Sequence, residues 1–176
     1  MGEALIIDAC RTPRGIGKQG RGALAHLHPQ HLGRTVLEAL AERNDLDTAD
    51  VDDVVWGTSS QVCEQSGDLG RMSALDGGYD IRASGVTLDR FCGSGITAVN
   101  IAANSIMAGM EDLVIGGGTE MMSLPKKGLL PMGALNPRLQ EMHPQPHQGV
   151  CADAIASLEG IPRAALDGLA AESQAR

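Results

Sequence analysis

The chain has 176 residues, 43% of them hydrophobic, which fits one ordinary domain with its own core and excludes a disordered polymer. Fourteen basic residues against 22 acidic give a net charge of −8 and a pI near 5.0, so a nucleic-acid backbone is repelled on average. Trp56, Tyr79 and Phe91 are the only aromatic residues, too few to stack on bases, and the core they leave must be aliphatic and small.

The opening "MGEALIIDAC" has no charged leader before a long apolar run, and Ile6 breaks the myristoylation pattern, so neither a secretory signal nor a lipid anchor is expected. Residues 4–9 predict a strand, followed by the glycine-rich loop "RTPRGIGKQGRG". Leu32, Val36 and Leu40 recur every four residues, with Leu37 beside them, and predict an amphipathic helix over 29–43. A second strand is expected over 52–60 and a short helix over 68–78, closed by paired glycines. A third strand over 85–91, a long helix over 93–109 and a fourth strand over 111–118 complete the series. Strands alternating with helices imply parallel pairing through helical crossovers, hence a layered α/β domain with a mixed, mainly parallel sheet.

From about residue 120 the character changes. The stretch 121–149 carries five prolines and little periodicity, and helices follow over 150–157 and from Pro162 onward. The expected division is therefore an α/β domain over 1–119 and a loop region over 120–176, whose last helix runs into Arg176 without a cap, as in a truncated chain.

Phe91 to Met110 is a run of twenty uncharged residues, long enough for a membrane span. Thr97, Asn100, Asn104 and Ser105, with strands on both sides, favour a helix buried between two layers, with Ile96, Val99, Ala103, Ile106, Met107 and Met110 as its apolar stripe. No membrane partner is expected. "GSGITA" (93–98) fits a dinucleotide-binding pattern, but Asp112 stands at the wrong end of the following strand and Glu120 lies too far on, so nicotinamide binding is not expected. His143, His147 and Cys151 have zinc-like spacing, yet Pro144 and Pro146 prevent a regular helix there, and no metal site is expected.

The four cysteines stand at 10, 63, 92 and 151 with no C-x-x-C, which fits reduced thiols in the cytosol. Cys92 differs from the others by position. It directly precedes a helix whose free N–H groups and positive dipole end would stabilise a thiolate, while Gly93, Ser94 and Gly95 leave room for a substrate and offer oxyanion donors. A tight turn that needs small residues explains the same pattern, and the residues alone leave both readings standing.

"LDRFCGSGITAVNIAANSIMAG" (88–109) resembles the segment around the acyl-accepting cysteine of the thiolase family. Four more stretches resemble family motifs in the same order: "RTPRG" (11–15), "VVWGTSSQ" (54–61), "GGGTEMMS" (116–123) and 147–176. The resemblance implies a thiolase-like layered fold and an acyl-CoA C-acyltransferase in which Cys92 carries the acyl group as a thioester. Its substrates would be acyl-CoA and coenzyme A, with no tightly bound cofactor. His147 and Gln148 align with a pair lining the pantetheine channel, where Gln148 replaces a usual Met. The family's G-H-P histidine, its C-x-G-G-G cysteine and its asparagine-bearing motif have no counterpart here, so a C-terminal half is expected in cis or as a second chain, and this chain alone is expected to be inactive. A non-catalytic acyl-CoA-binding or structural half is the alternative. The resemblance also implies a cytoplasmic homodimer or homotetramer, paired through the strand at 85–91.

Overall fold

Val54, Val55 and Trp56 are all buried, which marks their strand as covered on both faces. In the computed structural model, which describes residues 2–124 and 136–176, this strand is β1 (Asp53–Gly57), the centre of a three-stranded parallel sheet. β2 (Val86–Leu88) flanks it in the register Val55↔Val86 to Gly57↔Leu88. β3 (Val114–Gly118) lies on the other side, from Asp53↔Val114 to Gly57↔Gly118. All three strands thus end level, at one edge of the sheet.

Helices cover both faces. α1 (Pro29–Arg43) starts with proline in its first turn and with His28 Nδ1 accepting from Gln30 N. α2 (Leu69–Asp76) is capped by Asp68, which accepts from Arg71 N. Thr87 Oγ1 donates to the same Asp68 carboxylate and accepts from Gly70 N, which ties β2 to the start of α2. α1 and α2 pack on the face carrying Val54 and Trp56, where Leu37, Leu69, Tyr79 and Ala83 close the core. Tyr79 Oη donates to Leu37 O, and burial pushes its hydroxyl up to about 12. α3 (Ser94–Met107) crosses the opposite face, against β1 and β3.

Two sequence expectations change here. Residues 4–9 form no strand and pair with none among the described residues, and Leu5, Ile6 and Ile7 are exposed. An apolar segment becomes a strand only beside a partner backbone. This one is held instead by Asp8, which accepts from Arg43 Nη2 at 2.8 Å and Asn44 Nδ2 at 3.0 Å. An apolar cavity of about 1020 Å³ separates it from β3, lined also by Val36 of α1 and by Val99 and Ile106 of α3. α3, expected to be buried, is covered on one face only. Ser94, Thr97, Ala98 and Ala102 face the sheet, whereas Ile96 and Met107 of the expected stripe are exposed. The strands beneath end in glycine, and only small side chains let a helix approach them.

The chain divides into two compact units, Met1–Leu129 and Leu130–Arg176, so residues 120–124 belong with the sheet. The second unit contains α4 (Pro137–Met142), α5 (Gln148–Leu158) and α6 (Arg163–Ala175), and none of its described residues is buried. Among the described residues no helix is long and apolar enough to cross a membrane.

Candidate active site

Between β2 and α3 the chain makes a tight turn over residues 89–93, knotted by hydrogen bonds. Asp89 Oδ1 accepts from Phe91 N at 2.7 Å. Ser94 Oγ accepts from Arg90 N at 2.8 Å and donates to Phe91 O at 2.7 Å. Gly93 N and Ser94 N donate to the carbonyls of Arg90 and Phe91. This knot holds Phe91 at φ +48°, a left-handed conformation that costs a bulky residue on the order of 1–3 kcal/mol. Strain of this kind persists only where the surroundings over-determine it. Its result is that Cys92 stands exposed, immediately before the N-cap Gly93 of α3, while Ser94 two residues on is buried.

The three residues expected to supply oxyanion donors divide. The N–H groups of Gly93 and Ser94 and the Ser94 hydroxyl are already engaged inside the turn, so these two residues shape it. Gly95 N–H has no acceptor among the described residues, and a side chain there would meet nothing within 4 Å. Gly95 N–H is therefore a first-turn donor left without an intrahelical acceptor, the kind of group that can donate to an anionic oxygen.

The turn rests on the end of β1. A Cβ on Gly57 would come within 2.7 Å of the Ser94 carbonyl carbon, so only glycine permits this approach. Thr58 N donates to Leu88 O, and Thr119 N donates to Gly57 O, which prolongs both ladders past the strand ends. Glu120 then fastens the loop after β1. Its Oε2 accepts from Ser59 N at 2.7 Å, Ser59 Oγ at 2.9 Å and Thr58 Oγ1 at 3.2 Å, and its Oε1 accepts from Gln65 Nε2 at 3.2 Å. Gln65, fully buried, in turn accepts at Oε1 from Met121 N. Burial pushes the Glu120 carboxyl up, but these donors outweigh it and hold the group below its ordinary value. Sequence reasoning weighed Glu120 as a ribose ligand and quoted it within the family-like stretch 116–123, but gave it no structural role. The signal for its actual place is a polar run, Thr58 to Ser60, after one strand and an acid just past the next parallel strand.

His147 and Gln148 belong to the second unit. His147 is the N-cap of α5, its Nδ1 accepting from Gly149 N at 3.1 Å, and Gln148 opens that helix; both are exposed. His143 closes α4, so His143, His147 and Cys151 do not share a helix face. Among the described residues no group of three metal-binding side chains converges.

The family description "Thiolase, N-terminal domain" matches residues 4–176. The steroid 3-ketoacyl-CoA thiolase FadA6 of Mycobacterium tuberculosis is 44% identical over 123 residues, covering 70% of this chain and 30% of that protein. A 3-ketoacyl-CoA thiolase of Psychrobacter cryohalolentis is 32% identical across 99% of the chain and 44% of its own length. The beta-ketoadipyl-CoA thiolase of Acinetobacter baylyi is 36% identical across 100% and 48%. The crystal structure of the Bacillus anthracis acetyl-CoA acetyltransferase superposes with a TM-score of 0.53 at 32% identity, over 58% of this chain and 25% of that one. The chain thus spans less than half the length of these relatives. Over that span it has the α/β thiolase-like fold, and it belongs to the thiolase family.

Proposed function

We propose that this chain carries the acyl-accepting part of a thiolase that exchanges acyl groups between 3-ketoacyl-CoA and coenzyme A. The observation that carries the reading is the strained strand-to-helix turn that presents Cys92 at the N-terminus of α3, inside a segment matched by the family. Cys92 Sγ, as thiolate, attacks the 3-keto carbonyl, and Gly95 N–H faces the oxygen that becomes anionic. The bond between C2 and C3 then breaks, leaving the acyl group on sulfur and the electron pair on acetyl-CoA, which takes up a proton. A CoA thiol gives its proton to a base and attacks the acyl-Cys92 thioester, releasing the shortened acyl-CoA. The same steps in reverse condense two acyl-CoA molecules. No tightly bound cofactor takes part.

The base and the second proton carrier come from polypeptide beyond this chain's share of the family length, in cis or as a second subunit. His147 and Gln148 line the pantetheine channel, and Gln148→Met shifts the acyl-chain preference. The enzyme is cytoplasmic and dimeric or tetrameric. β2 supports that assembly, because it is an outer strand of the sheet and Val86 is 42% exposed, leaving an edge for a second copy. Light scattering that shows only monomer of the natural protein would count against it.

Incubation of the natural protein with acetyl-CoA or acetoacetyl-CoA, followed by peptide mass spectrometry, tests the central claim. Acyl adducts should sit on Cys92 and vanish in Cys92→Ser; adducts that persist in that variant sink the proposal. The 176 residues alone should turn over negligibly. A second reading, a non-catalytic acyl-CoA-binding or structural half, is favoured by the limited span alone. Binding of acyl-CoA without any adduct at Cys92, in the presence of every co-purifying chain, would select it.

A further inference from the structure

From the hydrogen bonds that converge on one carboxylate, we infer that Glu120 is a positioning residue for the Cys92 turn. The inference rests on Cys92 being the acyl acceptor. Three short links connect the two. Glu120 fixes the loop at Thr58 and Ser59. That loop continues directly from Gly57, whose backbone is the surface against which Ser94 packs. Ser94 in turn ties Arg90 N and Phe91 O, the two bonds that brace the left-handed Phe91 just before the nucleophile. Glu120 suits this role chemically: every group facing it donates, including the Ser59 N–H, which cannot reverse. Only an acceptor-only side chain satisfies them all. Gln65 locks the arrangement, donating to Ser60 O and Thr58 Oγ1 as well as to Glu120. A loosened loop lets Gly57 recede, and the turn then relaxes toward an unstrained conformation that shifts Cys92 from its place just before the first turn of α3.

Asp52 provides an internal control. It performs a similar task at the opposite end of β1, accepting from Asp112 N at 2.7 Å and Leu113 N at 3.0 Å. The experiment measures, in the natural protein, the rate of Cys92 alkylation by iodoacetamide, resolved by peptide mapping, together with kcat and KM for acyl-CoA. Glu120→Ala should slow alkylation and lower kcat by roughly ten-fold or more while KM stays within about two-fold, as displacement of a reacting group predicts. Glu120→Gln keeps one acceptor oxygen and should lose about three-fold, by the same reasoning. Asp52→Ala should leave Cys92 alkylation within about two-fold, since it unfastens only the far end of the strand. Equal slowing by Asp52→Ala, or an unchanged rate in Glu120→Ala, overturns the inference. Should Glu120→Ala fail to fold, Glu120→Gln decides alone, and wild-type alkylation in it is the overturning result. Alkylation needs no acyl chemistry, so acyl transfer surviving in Cys92→Ser would end the proposed function and leave the Glu120 result readable.

Discussion

The two faces of the sheet are closed in opposite ways. On one, a single large residue does most of the filling: Trp56 is 2% exposed, spans from α1 to α2, and donates its Nε1–H to Thr119 Oγ1 at 3.0 Å. Gly117 lies beneath the ring, where a Cβ would come within 2.5 Å of it. On the other face nothing is large. Gly57 meets Ser94, and the helix offers Thr97, Ala98 and Ala102, so α3 lies close and its bulkier residues point away. A core can thus be dense through one big side chain or through close backbone approach. The second solution puts the N-terminus of α3, with Cys92 just before it, directly beside the strand ends.

The largest effect should come from the filled face. Trp56→Ala removes the ring, its hydrogen bond and the support under Gly117, and should cost about 3–5 kcal/mol in urea or thermal unfolding. That is a large share of the total stability of an ordinary domain. A loss below about 1 kcal/mol would mean that α1 and α2 collapse onto the gap and that the two faces differ less than their packing implies.

Next comes the close-approach face. Gly57→Ala should cost about 1–3 kcal/mol by overpacking against Ser94. Unlike Trp56→Ala, it should also slow Cys92 alkylation in the protein that remains folded, because the displaced group belongs to the Cys92 turn. Equal alkylation rates in folded Trp56→Ala and Gly57→Ala would break the distinction between the faces.

A third test uses pH on the segment beside the open cavity. The Asn44 amide, with Ala9 N–H and Arg43, outweighs burial and holds the Asp8 carboxyl below its ordinary value. Its folded value lies under the unfolded one, so the clamp is complete above about pH 4 and is lost as pH falls through the lowered value. Pepsin should therefore cut within residues 4–9 increasingly below pH 4. Asp8→Asn should be cut there already at pH 5. Cleavage independent of pH would show that the cavity wall is held by something other than Asp8.

The order of elements was legible because the alternation of strand, helix and turn is local. So was the placement of Cys92 just before a helix, which its flanking glycines and the uncharged run beside it mark locally, whereas its chemical role was not, since a tight turn needs the same small residues. Two features were not. The stripe on α3 was assigned by side-chain size, whereas the glycine-ended strands select the smallest residues for contact, a property of two elements packed together. Residues 4–9 carry strand composition, but a ladder depends on a neighbour that composition cannot name. Glu120 escaped for the same reason: its donors lie some 60 residues away in sequence, at 58 and 59.

The smallest effect offers the finest test of what the outer side of α3 is for. Ile96 is 73% exposed, and on a helix face meant for solvent Ile96→Gln should change stability by no more than about 0.5 kcal/mol. α1 shows what such a face looks like: Arg34 and Glu38 pair along it at 3.5 Å. α3 has no charged residue anywhere, and a helix of that composition belongs under another layer. If the proposed function holds, the substitution should be nearly silent in the 176-residue chain and cost about 2 kcal/mol or more in the catalytically competent assembly, where a further layer would bury the side chain. The same small change in both would assign the outer face of α3 to water, and the two faces of the sheet would then differ in packing style alone.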